Sequence, residues 1–230
     1  NIYLAQLYGI DVERKPKEFE KWKATHQPFH WFAEFYQIIH DKGGFDVIIG
    51  NPPYVEFSDV KKTYNINNYK TYECGNLHAF CVERAISLKN DFGYVGFIVP
   101  LAIISTPRME SAINLLKKQV DGYFCHFECR PAKLFEGADI RLTIMILSKI
   151  RGNKFSFKST QLIKFNTSQR ENLFDSLTYV TLDSIDSFDL LPKLKSKMEL
   201  SIYKKLYSNE NKISSYLSNS NSTHKLYYSY

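Results

Sequence analysis

Apolar residues in this chain fall into short runs, and the stretches between them alternate between turn-forming and helical patterns. Residues 45–50 (FDVIIG) form an apolar run closed by glycine and then by Pro52 and Pro53. That pattern predicts a buried strand running into a tight loop. Residues 55–75 carry many polar and aromatic groups with no sustained period, and so long a loop inside a compact domain is usually functional. Asn76 is a capping residue type, and Leu77, Phe80, Ala85 and Leu88 line one face of a helix through about residue 90. Residues 94–100 (YVGFIVP) predict the next buried strand, and 109–120 the next amphipathic helix. Two more strands are expected at 123–129 and 140–150. The short linker between them, RPAKLFEGAD, points to an antiparallel hairpin. The order predicts an α/β fold with a mostly parallel sheet ending in a reversed β-hairpin.

Beyond residue 151 the character changes. Gly152 is the last glycine, Asn, Ser and Lys become frequent, and one helix is expected over 194–206. Residues 225–230 (LYYSY after Lys225) read as a strand cut short. The expected division is 1–155 for the α/β domain and 156–230 for a linker and the beginning of a second domain. Charge follows the same line. Residues 1–150 carry 18 Lys and Arg against 17 Asp and Glu, a net of +1, and 151–230 carry 12 against 7, a net of +5. A basic C-terminal third is compatible with a polyanion. No run approaches the length of a membrane span, and the first residues lack a signal-peptide pattern. Four cysteines in 230 residues do not make a disulfide scaffold, so a reduced, cytoplasmic setting is expected.

The string Asn51-Pro52-Pro53-Tyr54 directly follows the 45–50 strand. By residue usage it would arise by chance in such a chain with odds on the order of one in a thousand. It also stands at the carboxyl end of an α/β strand, where such folds bind ligands. Two prolines stiffen the backbone and leave the Pro52 carbonyl free to face a ligand. The Asn51 side-chain oxygen is a second acceptor, and Tyr54 supplies a flat ring. Two acceptors beside an aromatic plate form a clamp for a planar amino group. Such a nitrogen is a poor nucleophile, because its lone pair is delocalised. Two hydrogen bonds to its N–H groups favour a pyramidal nitrogen able to attack an electrophile, with no titrating base needed.

At these residues the chain resembles a known family. FDVIIGNPPYVEF, GNLHAFCVERAISL, GYVGFIVP and LFEGADIRLTIMIL are similar to the second half of amino-group DNA methyltransferases, above all the Eco57I-like adenine-N6 enzymes of bacterial restriction–modification systems. The resemblance covers about residues 20–150. It implies a partial Rossmann-like methyltransferase fold followed by the start of a target-recognition domain. The implied reaction is methyl transfer from S-adenosylmethionine, without a metal, to N6 of an adenine flipped out of double-stranded DNA. Asn51, Pro52, Pro53 and Tyr54 would form the catalytic motif, Tyr54 stacking on the base. Phe135 stands where the family offers a second aromatic to the flipped base, and such contacts offset the cost of unstacking it. An endonuclease elsewhere in the parent fits a type II restriction enzyme, but no nuclease site is found in this sequence.

One family feature is missing. No G-x-G occurs, so the Gly-rich turn that binds the cofactor has no counterpart. The cofactor-binding residues are therefore unknown, and the expectation is a fragment whose cofactor half lies upstream in the parent polypeptide. Two alternatives remain: a protein-glutamine N5 methyltransferase, since an amide nitrogen poses the same problem, and a non-catalytic DNA-binding module.

Other clusters are weaker. Cys125 and Cys129 on one strand would sit about 13 Å apart at ~3.3 Å per residue, too far to share a zinc ion, and no metal site is expected. His30, Trp31, Phe32, Phe35 and Tyr36 form an aromatic patch around Glu34 that is more often core than site. Lys61, Lys62 and Lys70 interleave with Tyr64 and Tyr72 as candidate DNA contacts. Further along, Lys193, Lys195, Lys197, Lys204, Lys205 and Lys212 are candidates for phosphates.

Overall fold

The computed structural model describes residues 1–29, 31–64, 66–182 and 190–208. Four helices lead in: α1 (Ile2–Leu7), α2 (Pro16–His26), α3 (Trp31–Glu34) and α4 (Tyr36–Asp41). Strand β1 (Phe45–Gly50) follows, then the short α5 (Phe57–Val60), a 3₁₀ turn (Tyr72–Cys74) and α6 (Leu77–Leu88). Strand β2 (Lys89–Pro100) leads through two 3₁₀ turns (Leu101–Ile104, Pro107–Met109) into α7 (Glu110–Gln119). Then come β3 (Val120–Phe127), β4 (Leu142–Lys149), β5 (Phe157–Ile163), a 3₁₀ turn (Thr167–Gln169), β6 (Val180–Thr181) and α8 (Lys197–Tyr207). None of the described helices is long and apolar enough to cross a membrane.

The strands form one six-stranded sheet in the order β1-β2-β4-β3-β5-β6. β1 runs parallel to β2, β3 runs parallel to β5, and β4 is antiparallel to both β2 and β3. Four strands thus share one direction, with β4 and β6 reversed. The β3–β4 hairpin is the one the sequence predicts. Its second strand does not close the sheet, however: β4 inserts between β2 and β3, pairing Leu142 with both Pro100 and Phe127.

Past residue 155 the sheet continues through β5 and β6, where the sequence reading places no strand. The reason is chemical. Residues 157–163 (FKSTQLI) contain two polar groups, Ser159 and Thr160, that are buried here. His126 of β3 satisfies them, with Nε2 2.9 Å from Ser159 Oγ and its backbone N–H donating to Thr160 Oγ1 at 3.1 Å. Buried polar side chains with tertiary partners do not show in an apolar pattern.

The larger of two core clusters lies on one face of the sheet. Ala79, Val82, Ala85 and Ile86 of α6 and Ala112, Ile113, Leu115 and Leu116 of α7 pack on Val95, Phe97, Val99, Phe124, Met145 and Leu147. Asn76 caps α6, its side-chain oxygen accepting from the His78 N–H at 3.3 Å. A smaller cluster of Cys125, Phe127, Ala132, Phe165 and Leu173 covers the opposite face at β3, but β1 departs from the buried strand expected: Val47 is 64% and Ile49 83% exposed, and only Phe45 and Ile48 are part-buried.

The leading helices brace the long loop. Trp22 is buried between Tyr8 and His26, with ring centroids 5.6 Å away in each case, and His26 Nε2 lies 3.2 Å from the Thr63 carbonyl. In the aromatic patch, Phe35 meets Phe45 edge-on at 5.1 Å and Tyr36 stacks on His40, while Glu34 is exposed and His30 lies outside the described residues.

Candidate functional site

The chain leaves β1 at Gly50 and enters Asn51-Pro52-Pro53-Tyr54, of which Pro52 is buried and Asn51 and Pro53 are exposed. Tyr54 is half-buried, and its phenol donates to the Ile98 carbonyl of β2 at 3.1 Å. Burial pushes that phenol up to about 12, so it stays protonated and cannot act as a base near neutrality. Among the described residues, no side chain bonds to the Asn51 amide and no backbone N–H donates to the Pro52 carbonyl. Neither acceptor is engaged within the described residues.

A cleft of about 370 Å³ has Asn51, Pro52, Pro53 and Tyr54 on one side and residues 135–140, from Phe135 to Ile140, on the other. The structure therefore brings together two sequence candidates that lie far apart along the chain. Topology explains it. β1 and β2 point the same way, and the inserted β4 starts where β2 ends, at the Pro100–Leu142 pair. The loop joining β3 to β4 must then stand over the carboxyl ends of β1 and β2.

That loop is pinned at its base and across its neck. Glu128 and Arg141 pair at 2.9 and 3.0 Å, and the guanidinium holds the Glu128 carboxyl below the usual carboxylate range. Lys133 and Asp139 pair at 2.7 Å, which lowers Asp139 likewise. Gly137 takes a φ of +85°, a conformation that suits glycine at the tip.

The segment after Tyr54 is strapped to the start of α6. The Leu77 N–H donates to the Val55 carbonyl at 3.0 Å, and the Phe57 N–H to the Gly75 carbonyl at 2.9 Å. The Glu56 carboxylate accepts from Arg108 at 2.7 and 2.8 Å and from Asn76 at 3.1 Å. Arg108 is the main cause of its lowered pKa. Farther on, Glu83 of α6 accepts from the Thr71 hydroxyl at 2.8 Å and from the Lys70 and Thr71 N–H groups, closing the loop. His78 is buried with no partner for either ring nitrogen among the described residues, and burial drives it down to about 4. Sequence reasoning missed Glu56, Arg108, Glu83, Glu128 and Arg141 as supports. Only Glu56, two residues after Tyr54, carried any signal of proximity; Arg108 pairs with it across 52 positions.

The candidate lysines are not drawn into the cleft. Lys61, Lys62 and Lys70 are exposed on the 55–75 loop, and none of them lines it. Lys205 is exposed and Lys204 half-buried on α8, also away from the cleft lining. Lys193 donates to the Leu191 carbonyl at 2.9 Å, and burial brings it down to about 8, which engages it internally. Lys195 and Lys197 are exposed, while Lys212 and the expected strand at 225–230 lie outside the described residues.

The cleft residues match the needs of an amino acceptor better than those of a nucleotide cofactor. Its lining offers two backbone or amide acceptors and two aromatic rings. No glycine-rich strand-to-helix turn, the usual cradle for such a cofactor, occurs among the described residues.

Comparison with known proteins gives consistent matches. The profile of the family described as Eco57I restriction-modification methylase matches residues 5–123. The chain is 36% identical over 135 residues to the Methanocaldococcus jannaschii protein RM.MjaORFECS2P, covering 58% of this chain and 11% of that protein. It is 25% identical over 170 residues to the Escherichia coli type II restriction enzyme and methyltransferase RM.Eco57I, covering 68% of this chain and 16% of that one. The chain thus spans only a small part of these relatives. In fold it is similar to a nuclease-deletion mutant of the Type ISP restriction-modification enzyme LlaGI, solved with a DNA substrate mimic. That match has a TM-score of 0.50 at 15% identity, over 70% of this chain and 19% of the other.

Proposed function

Because this chain belongs to the Eco57I restriction-modification methylase family, we propose that its cleft is the amino-acceptor site of a DNA adenine-N6 methyltransferase. S-Adenosylmethionine is the methyl donor on this reading, and double-stranded DNA the partner. The observation that supports it most directly is the meeting of Asn51–Tyr54 and Phe135 in one cleft.

The described residues do not compose a cradle for the cofactor, so the chemistry assigned here is that of the acceptor side alone. Asn51 Oδ1 and the Pro52 carbonyl accept the two N–H groups of the adenine amine, drawing its lone pair out of conjugation. The ring of Tyr54, held by its bond to Ile98, presents one face to the base. Phe135 presents another, offsetting the stacking lost on flipping. The amine that gains a methyl group gives up one N–H proton, which passes to water: Tyr54 stays protonated, and Asp139 is tied to Lys133. Residues 156–230 are read as the approach to a target-recognition domain, though their first part completes the catalytic sheet. Membership of a restriction–modification family favours DNA over a protein glutamine as acceptor.

The test is methylation by the full-length protein, with N6-methyladenine measured by mass spectrometry after digestion of the DNA. The expected result is N6-methyladenine in DNA, abolished by Asn51→Ala while DNA binding persists. Methylation retained in that variant, or confined to protein glutamine, would overturn the reading.

A further inference from the structure

The segment after β5 reaches back to the cleft. Arg170, just past the turn Thr167–Gln169, donates through Nη1 to the Leu134 carbonyl at 2.7 Å and through Nη2 to the Lys133 carbonyl at 2.6 Å. The Ala132 N–H donates to the Phe165 carbonyl at 3.1 Å, and the Arg170 guanidinium lies 5.7 Å from the Phe165 ring. Among the described residues, neither of the gripped carbonyls receives a backbone N–H.

The position of these bonds matters. The two carbonyls immediately precede Phe135, which lines the same cleft as Tyr54. The Glu128–Arg141 and Lys133–Asp139 pairs shape the hairpin, but all four residues belong to it and move with it. Arg170 acts from outside, on a segment anchored to the far side of the sheet by β5. A planar guanidinium holding two successive carbonyls fixes the rotation of the peptide between them as well as its distance. A lysine ammonium, a single point donor, cannot do both.

We propose that Arg170 is a positioning residue for the acceptor site, setting where Phe135 stands opposite Tyr54. The assignment rests on reading the cleft as the pocket of a flipped base. It makes the 164–173 segment part of the catalytic apparatus and gives the region beyond the hairpin a mechanical link to the base.

The experiment compares Arg170→Ala, Arg170→Lys, Phe135→Ala and the Phe135→Ala/Arg170→Ala double variant in the full-length protein, by steady-state methyl transfer to duplex DNA. Arg170→Ala is expected to lower kcat about tenfold while KM for DNA stays within about twofold. Arg170→Lys should recover only part of that loss. The double variant should be no slower than Phe135→Ala alone, since the two act through one ring. Additive losses, or an unchanged kcat, would overturn the assignment. So would a raised KM with the salt slope of DNA binding reduced by about one, which marks a phosphate contact.

A second readout does not depend on catalysis. Hydrogen exchange at the Ala132 amide should speed at least about tenfold in Arg170→Ala, because its bond to Phe165 lies in the same brace. Unchanged exchange would reject the positioning role whatever the activity. Faster exchange in a protein whose unvaried form methylates no DNA would sink the base-pocket reading and leave the Arg170 brace standing.

Discussion

The Tyr54 hydroxyl and the Ile98 carbonyl, 3.1 Å apart, tie the end of the Asn51–Tyr54 loop to the neighbouring strand. Ile98 is in β2, and β2 pairs in turn with β4, the strand that carries the Phe135 hairpin. One side of the cleft is therefore fixed to the other through three successive strands. The Tyr54 ring is oriented before any ligand arrives.

Removing only that hydroxyl separates anchoring from stacking. Tyr54→Phe should lower stability by about 1 kcal/mol, the usual worth of such a hydrogen bond, and keep most of the methylation. Urea denaturation and a methylation assay check the two parts. A loss of activity as deep as that of Tyr54→Ala would mean the hydroxyl itself, and not the ring, does the chemical work.

Tyr54→Ala and Phe135→Ala should each reduce methylation more on a paired adenine than on a mismatched one, because a mismatch already lowers the cost of flipping. Rates on matched and mismatched duplexes measure this. Equal losses on the two substrates would count against base stacking.

Acid should weaken the fold through His78. Its folded-state pKa is depressed by burial, from about 6.5 to about 4, so the unfolded chain binds the proton more readily. The stability is fully present above pH 6.5 and is lost as pH falls towards 4, by up to about 3 kcal/mol. His126 is depressed to about 3 by burial and adds to the same trend. His78→Phe should flatten the slope of the urea midpoint between pH 4 and 6.5. At pH 7 it should cost little, since it removes two unpartnered nitrogens. An unchanged slope would show that His78 does not carry the acid sensitivity.

Asn76 does two jobs, capping α6 and holding the Glu56 carboxylate. Asn76→Ala should destabilise by about 1 kcal/mol from the lost cap alone. Asn76→Asp keeps the cap but sets a second carboxylate beside Glu56, so it should be less stable than the native residue at pH 7 and recover as pH falls. Thermal melts across pH check this. A pH-independent Asn76→Asp would show that the contact with Glu56 contributes nothing.

Much of the molecule was legible in the amino-acid sequence because its signals are local. The run 45–50 closed by glycine and two prolines, the Asn76 cap and the YVGFIVP strand are each written in a few adjacent residues. So is the Asn51–Tyr54 motif, whose stiffness and acceptors follow from the residue types themselves. The linker between residues 129 and 140 was short enough to require a hairpin.

What the tertiary structure decided depends on partners distant in sequence. The insertion of β4 between β2 and β3 places Phe135 across from Tyr54, and no local pattern encodes strand order. β5 stayed hidden because its buried Ser159 and Thr160 are satisfied by His126, some 33 positions away. Glu56–Arg108 and Arg170 with the Lys133 and Leu134 carbonyls are contacts made by charged side chains that, read singly, look like solvated surface. Local sequence specifies which acceptor atoms the Asn51–Tyr54 loop carries. Only the packing of the sheet determines which ring stands opposite them and what holds it there.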